Sequence, residues 1–330
     1  MSLPEVADQA LVEGVRGRKL RALAKTITLI ESQREEHKAQ ARAVIEALLP
    51  ETGGAMRVGI SGVPGVGKST FIEALGLYLI EQGHRVAVLA VDPSSSVTGG
   101  SILGDKTRME KLSQRTEAFI RPSPSSGSLG GVAEKTRESM LVCEAAGFDV
   151  IIVETVGVGQ SETAVASMTD IFCLLQLPNA GDDLQGIKKG IMELADLIVI
   201  NKADIDAAAA MRAKAQIRTA LHMLRPASPN WSPPVLTMSA LHQDGIDAFW
   251  KTVCTYRDTM RATGEFESKR QKQALAWMWE LIDAGLRARF RTHGGVREAL
   301  PRLQVEVGAG ETSPAVAAMH LLALFGDRRD

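Results

Sequence analysis

Aromatic side chains are scarce: Phe, Tyr and Trp make up 4% of the 330 residues. So little ring surface argues against a base-stacking nucleic-acid platform. An excess of one charge is also missing. The 38 basic and 39 acidic residues leave a net charge of -1, which gives no electrostatic footprint for a polyanion. Cysteine is limited to Cys143, Cys173 and Cys254, far apart and without a C-x-x-C pair. Neither a disulfide framework nor a thiolate zinc site is expected. The thiols suit a reducing compartment, and the cytoplasm is the expected location. No apolar run approaches the ~20 residues needed to cross a bilayer. The N-terminal stretch MSLPEVADQA lacks the apolar core of a secretory signal, so none is expected.

What is present is a chain 45% hydrophobic, with a length that suits about two domains. Residues 1–53 read as a helical arm. Ser2 and Glu5 form a capping box around Pro4. Leu20, Leu23, Ala24, Ile27 and Ile30, then Ala43, Val44, Ala47 and Leu48, recur at helical spacing. Residues 54–262 alternate short apolar runs with helical stretches: RVGIS, RVAVLAVD, AFIRP, DVIIVET, DIFCLLQL, LIVINKAD and PVLTMSA. Runs apolar on both faces belong in a buried, mainly parallel sheet flanked by helices, an α/β fold. Ligands of such sheets sit beyond the carboxyl ends of the strands. Residues 263–330 read as helical again. Leu275, Met278, Trp279, Ile282, Leu286 and Phe290 form one stripe, widened by Trp277 and Leu281. Ser313 and Pro314 open a last helix. That stripe is the expected subunit interface.

The chemistry begins at GISGVPGVGKSTFIEAL. Gly62, Gly67, Lys68 and Ser69 fit G-x-x-x-x-G-K-[ST], a loop whose backbone amides cradle phosphates. The expected phosphate contacts are Gly62, Val63, Pro64, Gly65, Val66, Gly67, Lys68, Ser69 and Thr70. Lys68 supplies a point charge at a helix N-terminus, and Ser69 offers a hydroxyl to Mg²⁺. Glu154 ends the run DVIIVET three residues before Gly157, where triphosphatases hold the metal and meet the γ-phosphate. Asp92 ends another run, and Asp105 follows in the Ser/Thr/Gly-rich stretch 91–109. Both are candidates for the metal side, and Asp105 also for the attacking water. In NKAD, Asp204 can accept from both N1–H and the 2-amino group of guanine. Asn201 can reach the purine, and the Lys202 stem can cover it. Ser239, Ala240 and Leu241 stand where a backbone N–H meets the guanine oxygen. Val158 occupies the position of the usual water-orienting Gln, with Gln160 nearby, so slow unaided hydrolysis is expected.

GVPGVGKST, VDPSSSVTGGSILGDKTRM, ETVGVGQSE, GDDLQGIKKGIMELAD and NKAD together resemble the MeaB/ArgK GTPases, which include the human methylmalonic aciduria type A protein. The resemblance covers nearly the whole chain. It implies a P-loop GTPase domain with helical extensions at both ends, binding GTP or GDP with Mg²⁺. It implies a chaperone of the adenosylcobalamin enzyme methylmalonyl-CoA mutase, gating cofactor loading and protecting the enzyme from inactivation. A homodimer through the C-terminal helices is also implied. So is a metal side lined by Ser69, Asp92, Asp105 and Glu154, and a segment at 181–189, with Lys188 among the catalytic groups, that trades contacts between nucleotide and partner. The competing readings are a metallochaperone GTPase for another metalloenzyme and a transport-linked ATPase or kinase. Asp204 argues against the second, and the first lacks Cys/His ligands.

Overall fold

Val and Ile dominate the seven apolar runs, and each run forms a strand: β1 (Met56–Gly62), β2 (Val86–Val91), β3 (Ala118–Arg121), β4 (Val150–Thr155), β5 (Ile171–Gln176), β6 (Leu197–Ile200) and β7 (Val235–Thr237). The computed structural model describes residues 7–91, 109–122, 129–155, 161–178, 189–224 and 227–326. The strands build one sheet in the order β3-β2-β4-β1-β5-β6-β7, and every pairing is parallel. Every residue of β2, β4, β5 and β6 is buried. That explains runs without polar alternation: each strand is covered on both faces.

Helices supply the cover. Ahead of the sheet run α1 (Gln9–Arg16), α2 (Leu20–Glu31) and α3 (Glu35–Leu48). Between strands lie α4 (Lys68–Glu81), α5 (Glu110–Ser113), α6 (Leu129–Ala145), α7 (Ser161–Ala166), α8 (Lys189–Leu194) and α9 (Ala207–His222). After β7 come α10 (Ile246–Ala262), α11 (Glu265–Thr292), α12 (Gly294–Gly308) and α13 (Pro314–Gly326). The first helix is capped by Asp8, whose carboxylate accepts from the amides of Ala10 and Leu11. The capping box expected at Ser2 and Glu5 lies outside the described residues.

The chain divides into two units, Met1–Glu267 and Ser268–Asp330. In the first, α4 and α10 cover one face of the sheet. Phe71 meets Phe249 edge-on there, with centroids 4.9 Å apart. On the other face Val142, Val165, Ile191 and Ile217, from α6 to α9, share a core with Val12, Ile27 and Val44 of the N-terminal helices. A buried ion pair fastens α6 to the sheet: Arg57 of β1 donates to Glu144 at 2.8 and 3.1 Å. The Gly53 N–H, at the end of the N-terminal arm, donates to the same carboxylate.

The second unit has its own small core of Val296, Leu303, Ala317 and Leu321, with Phe290 and Phe325 against it. Ser313 starts α13 as expected, accepting from the Val316 amide at 3.3 Å. Leu275, Met278, Trp279, Ile282 and Leu286 of α11 are exposed.

Candidate nucleotide-binding site

The chain leaves β1 at Gly62 and turns into α4 within six residues, as G-x-x-x-x-G-K-S requires. Gly67 caps α4 in the left-handed region, at φ +93°, with no side-chain cap on the helix. A Cβ at Gly67 would stand 2.8 Å from the Asn201 amide nitrogen, so both conformation and space demand glycine. The first-turn amides of α4 belong to a 14-residue helix. With no capping side chain they are ready donors for an anion at the positive helix end. Lys68 folds back over the loop, its Nζ donating to the Gly62 carbonyl at 2.7 Å and to that of Val63 at 3.4 Å. That places the ammonium over the loop where phosphate oxygens are expected. Val66 is buried beneath, Ser69 is half-buried, and Pro64, Gly65 and Thr70 are exposed.

The metal side is described in part. Glu154 pairs in register with Ile60 and Ala90, so strand alternation puts it on the face that α4 covers. It is 4% exposed. A hydroxyl from Ser69 and a carboxylate from Glu154 are hard oxygen donors of the kind Mg²⁺ takes, and both belong to the same edge and face. The side chain of Ser61 meets that of Thr155 at 2.9 Å on the opposite face, tying β1 to β4 at this edge. Asp92, Asp105, Gly157, Val158, Gln160 and Lys188 lie outside the described residues.

The base side is complete. Asn201, 1% exposed, donates through Nδ2 to the Val66 carbonyl at 2.8 Å and accepts from the Ala240 N–H at 3.0 Å. Its own N–H donates to the Gln176 carbonyl at 2.9 Å. The sequence places Asn201 at the purine and a backbone N–H of Ser239, Ala240 or Leu241 at the guanine oxygen. In the structure Asn201 and the Ala240 N–H bind each other, and Asn201 joins the phosphate loop to the base loop. One Nδ2 hydrogen is left for a base. Lys202 holds φ +60°, a region rare for a side-chain-bearing residue and found where function constrains the backbone.

Asp204 is held below the usual carboxylate range, first by a hydrogen bond from the Ser239 side chain and further by the charges of His242 and Lys202. It is therefore ionised and purely an acceptor, which the N1–H and 2-amino pair of guanine requires. Ser239 is itself fixed by backbone bonds to Asp244 at 3.0 and 3.1 Å. Leu241 stands 72% exposed beside it. Two contributors were missed from sequence. His242 places Nε2 3.7 Å from the Asp204 carboxylate, and Gln176 anchors Asn201. Neither residue falls in a motif: the loop after β7 brings His242 to the site, and the pairing of β5 with β6 brings Gln176 beside Asn201.

The family described as "Methylmalonyl Co-A mutase-associated GTPase MeaB" matches residues 23–294. A Caulobacter vibrioides protein named as a GTPase is 56% identical over 97% of each chain. The mouse mitochondrial methylmalonic aciduria type A homolog is 47% identical over 96% of this chain and 78% of its own. GTPase ArgK of Escherichia coli is 54% identical over 78% of each. A crystal structure titled as an LAO/AO transport system kinase superposes with a TM-score of 0.77 at 38% identity, covering 98% of this chain and 99% of that one. A phosphate loop, a guanine-type base loop and relatives aligned along nearly the whole length converge on one assignment: the chain belongs to the MeaB family of P-loop GTPases.

Proposed function

We propose that this MeaB-family GTPase binds GTP and GDP with Mg²⁺, hydrolyses GTP slowly on its own, and uses the bound nucleotide to time adenosylcobalamin loading of methylmalonyl-CoA mutase and to protect that enzyme. The family description supplies the partner. The carrying observation is the Asn201 junction: one buried amide fixes the phosphate loop and the base loop together, beside an ionised Asp204. In this reading Lys68 and the α4 amides bind the phosphates, and Asp204 selects guanine over adenine. Bound Mg²⁺ would neutralise charge on the phosphate oxygens. Ser69 and Glu154 would hold it, with Asp92 and Asp105 on the same side.

Beside the proposed nucleotide site, the described residues contain no group of three or more His, Cys, Asp or Glu side chains arranged for a metal. Hydrolysis therefore serves better as a timer than as chemistry on a small substrate. A timer needs a partner that distinguishes the two nucleotide states. Linkage requires nucleotide to change mutase affinity by the factor by which mutase changes nucleotide affinity. Calorimetry of mutase binding with a non-hydrolysable GTP analogue and with GDP is the test. Unequal affinities and altered cofactor transfer are expected, and equal affinities with unchanged transfer would end the proposal. ATP competing with GDP at equal concentration would return the transport-kinase reading.

A further inference from the structure

Gln176 ends β5 and is 3% exposed, yet its side-chain oxygen has no hydrogen-bond partner. Buried polar atoms are paired in the great majority of cases, and an exception calls for a reason. Packing is not that reason, since an apolar side chain of similar volume would fill the same space without an unpaired acceptor.

The position of Gln176 supplies one. Alternation along β5 puts its side chain on the face shared by Phe172 and Leu174. That face is covered by α7 and α8, whose Val165, Ile191 and Met192 belong to the same core. In sequence α7 follows Gly157, the expected γ-phosphate contact, and α8 begins at the end of the 181–189 segment that the family resemblance implies for nucleotide and partner contacts. The main chain of Gln176 is fastened to the nucleotide site itself. Its carbonyl accepts the Asn201 N–H, Asn201 holds Val66 and Ala240, and the preceding Leu175 pairs with Gly62 of the phosphate loop. Gln176 thus has its carbonyl bound to the base loop, stands next to the residue paired with the phosphate loop, and carries an unpaired side-chain oxygen on the face that α7 shares.

We infer that Gln176 is a positioning residue that couples the bound nucleotide to α7 and α8, its side-chain oxygen accepting in the GTP state a hydrogen bond that it lacks in the state described. A ligand shifts a conformational equilibrium only through a difference in free energy between the states. A buried acceptor satisfied in one state and unsatisfied in the other supplies such a difference. The inference rests on the guanine-nucleotide site proposed above.

The test uses the full chain with Gln176→Met and, independently, Gln176→Leu, so that one poorly folding variant does not decide the outcome. Melting temperature and the affinities for GDP and for a non-hydrolysable GTP analogue with Mg²⁺ are measured. Both variants should melt higher than the wild type and lose more analogue affinity than GDP affinity. Analogue affinity should fall by about three- to tenfold, the loss of one hydrogen bond made in that state alone. A merely structural amide would not change the analogue-to-GDP ratio. An unchanged ratio, or lower melting in both variants, overturns the inference while leaving the site assignment intact. A wild-type protein that binds neither nucleotide overturns the site assignment and the inference with it.

Discussion

Replacing Asn201 with alanine strands two buried backbone groups, the Val66 carbonyl and the Ala240 N–H, that now share one amide. Each unpaired group costs about 1–3 kcal/mol, and the phosphate loop loses its tie to the base loop. Asn201→Ala should weaken GDP binding by roughly ten- to a hundredfold and lower the melting temperature, read by nucleotide titration and thermal unfolding. Asp204 acts through charge rather than through fastening. Its carboxylate is kept ionised by the Ser239 hydroxyl and by nearby His242 and Lys202, so it can only accept. Asp204→Asn presents an amide that also donates, and preference should pass from guanine to xanthine nucleotides. Competition of XDP and GDP for the variant measures this, and retained GDP preference would contradict the assignment. Because the Asp204 pKa is lowered, protonation is delayed to more acid pH as the solution is acidified. Guanine preference should therefore hold unchanged from pH 8 down to pH 5.

Among the elements, α6 carries the most charge into the core. Glu144 is buried and bound by Arg57 and by the Gly53 N–H. Removing one member of such a pair leaves the other uncompensated, at a cost of about 3–5 kcal/mol. Glu144→Ala should lose that much in urea unfolding. Glu138 on the same helix is pushed up to about 7 by burial first and Glu134 second, with Arg42 of α3 and Lys135 acting against the shift. An unfolded carboxyl titrates near 4.5. Between these values the folded chain holds the extra proton, so stability falls as pH rises through that window and stays low above it. Glu138→Gln should flatten that slope and gain up to about 3 kcal/mol over the wild type at pH 8.

The strands themselves were legible because burial on both faces leaves unbroken Val and Ile runs, as in VIIVET and LIVI. The Arg57–Glu144 pair joins positions 87 residues apart, a separation that no local pattern encodes. The seating of α1–α3 on α6 depends likewise on a core assembled from distant segments. At the site, the glycine loop and NKAD were legible because phosphate and guanine chemistry fix residue types at fixed spacings. What Asn201 does with its amide was not, because a side chain's partner depends on how two loops approach each other.

At the scale of the whole molecule, the chain divides after Glu267, five residues beyond the end of α10 at Ala262. Phe266 is buried in the core of the first unit, under the guanidinium of Arg261, 5.0 Å from the ring centroid. A cut at residue 261 would strip that ring from its core, whereas a cut after Glu267 retains it. The second unit encloses a core of four buried side chains and leaves Leu275, Trp279 and Leu286 of α11 exposed at 59, 60 and 49%. Contiguous apolar surface of this kind marks an interface far more often than it faces water. A helix repeating such residues at three- and four-residue spacing suits a second copy of itself. Full-length protein should therefore sediment as a dimer, and residues 1–267 as a monomer that binds GDP with undiminished affinity, since every residue proposed for the nucleotide site lies within that span. Trp279→Glu together with Leu286→Glu should convert the intact chain to monomer without altering its melting in the GDP-bound state. A full-length wild-type monomer at micromolar concentration would contradict the interface, and loss of GDP binding by 1–267 would contradict the independence of the first unit.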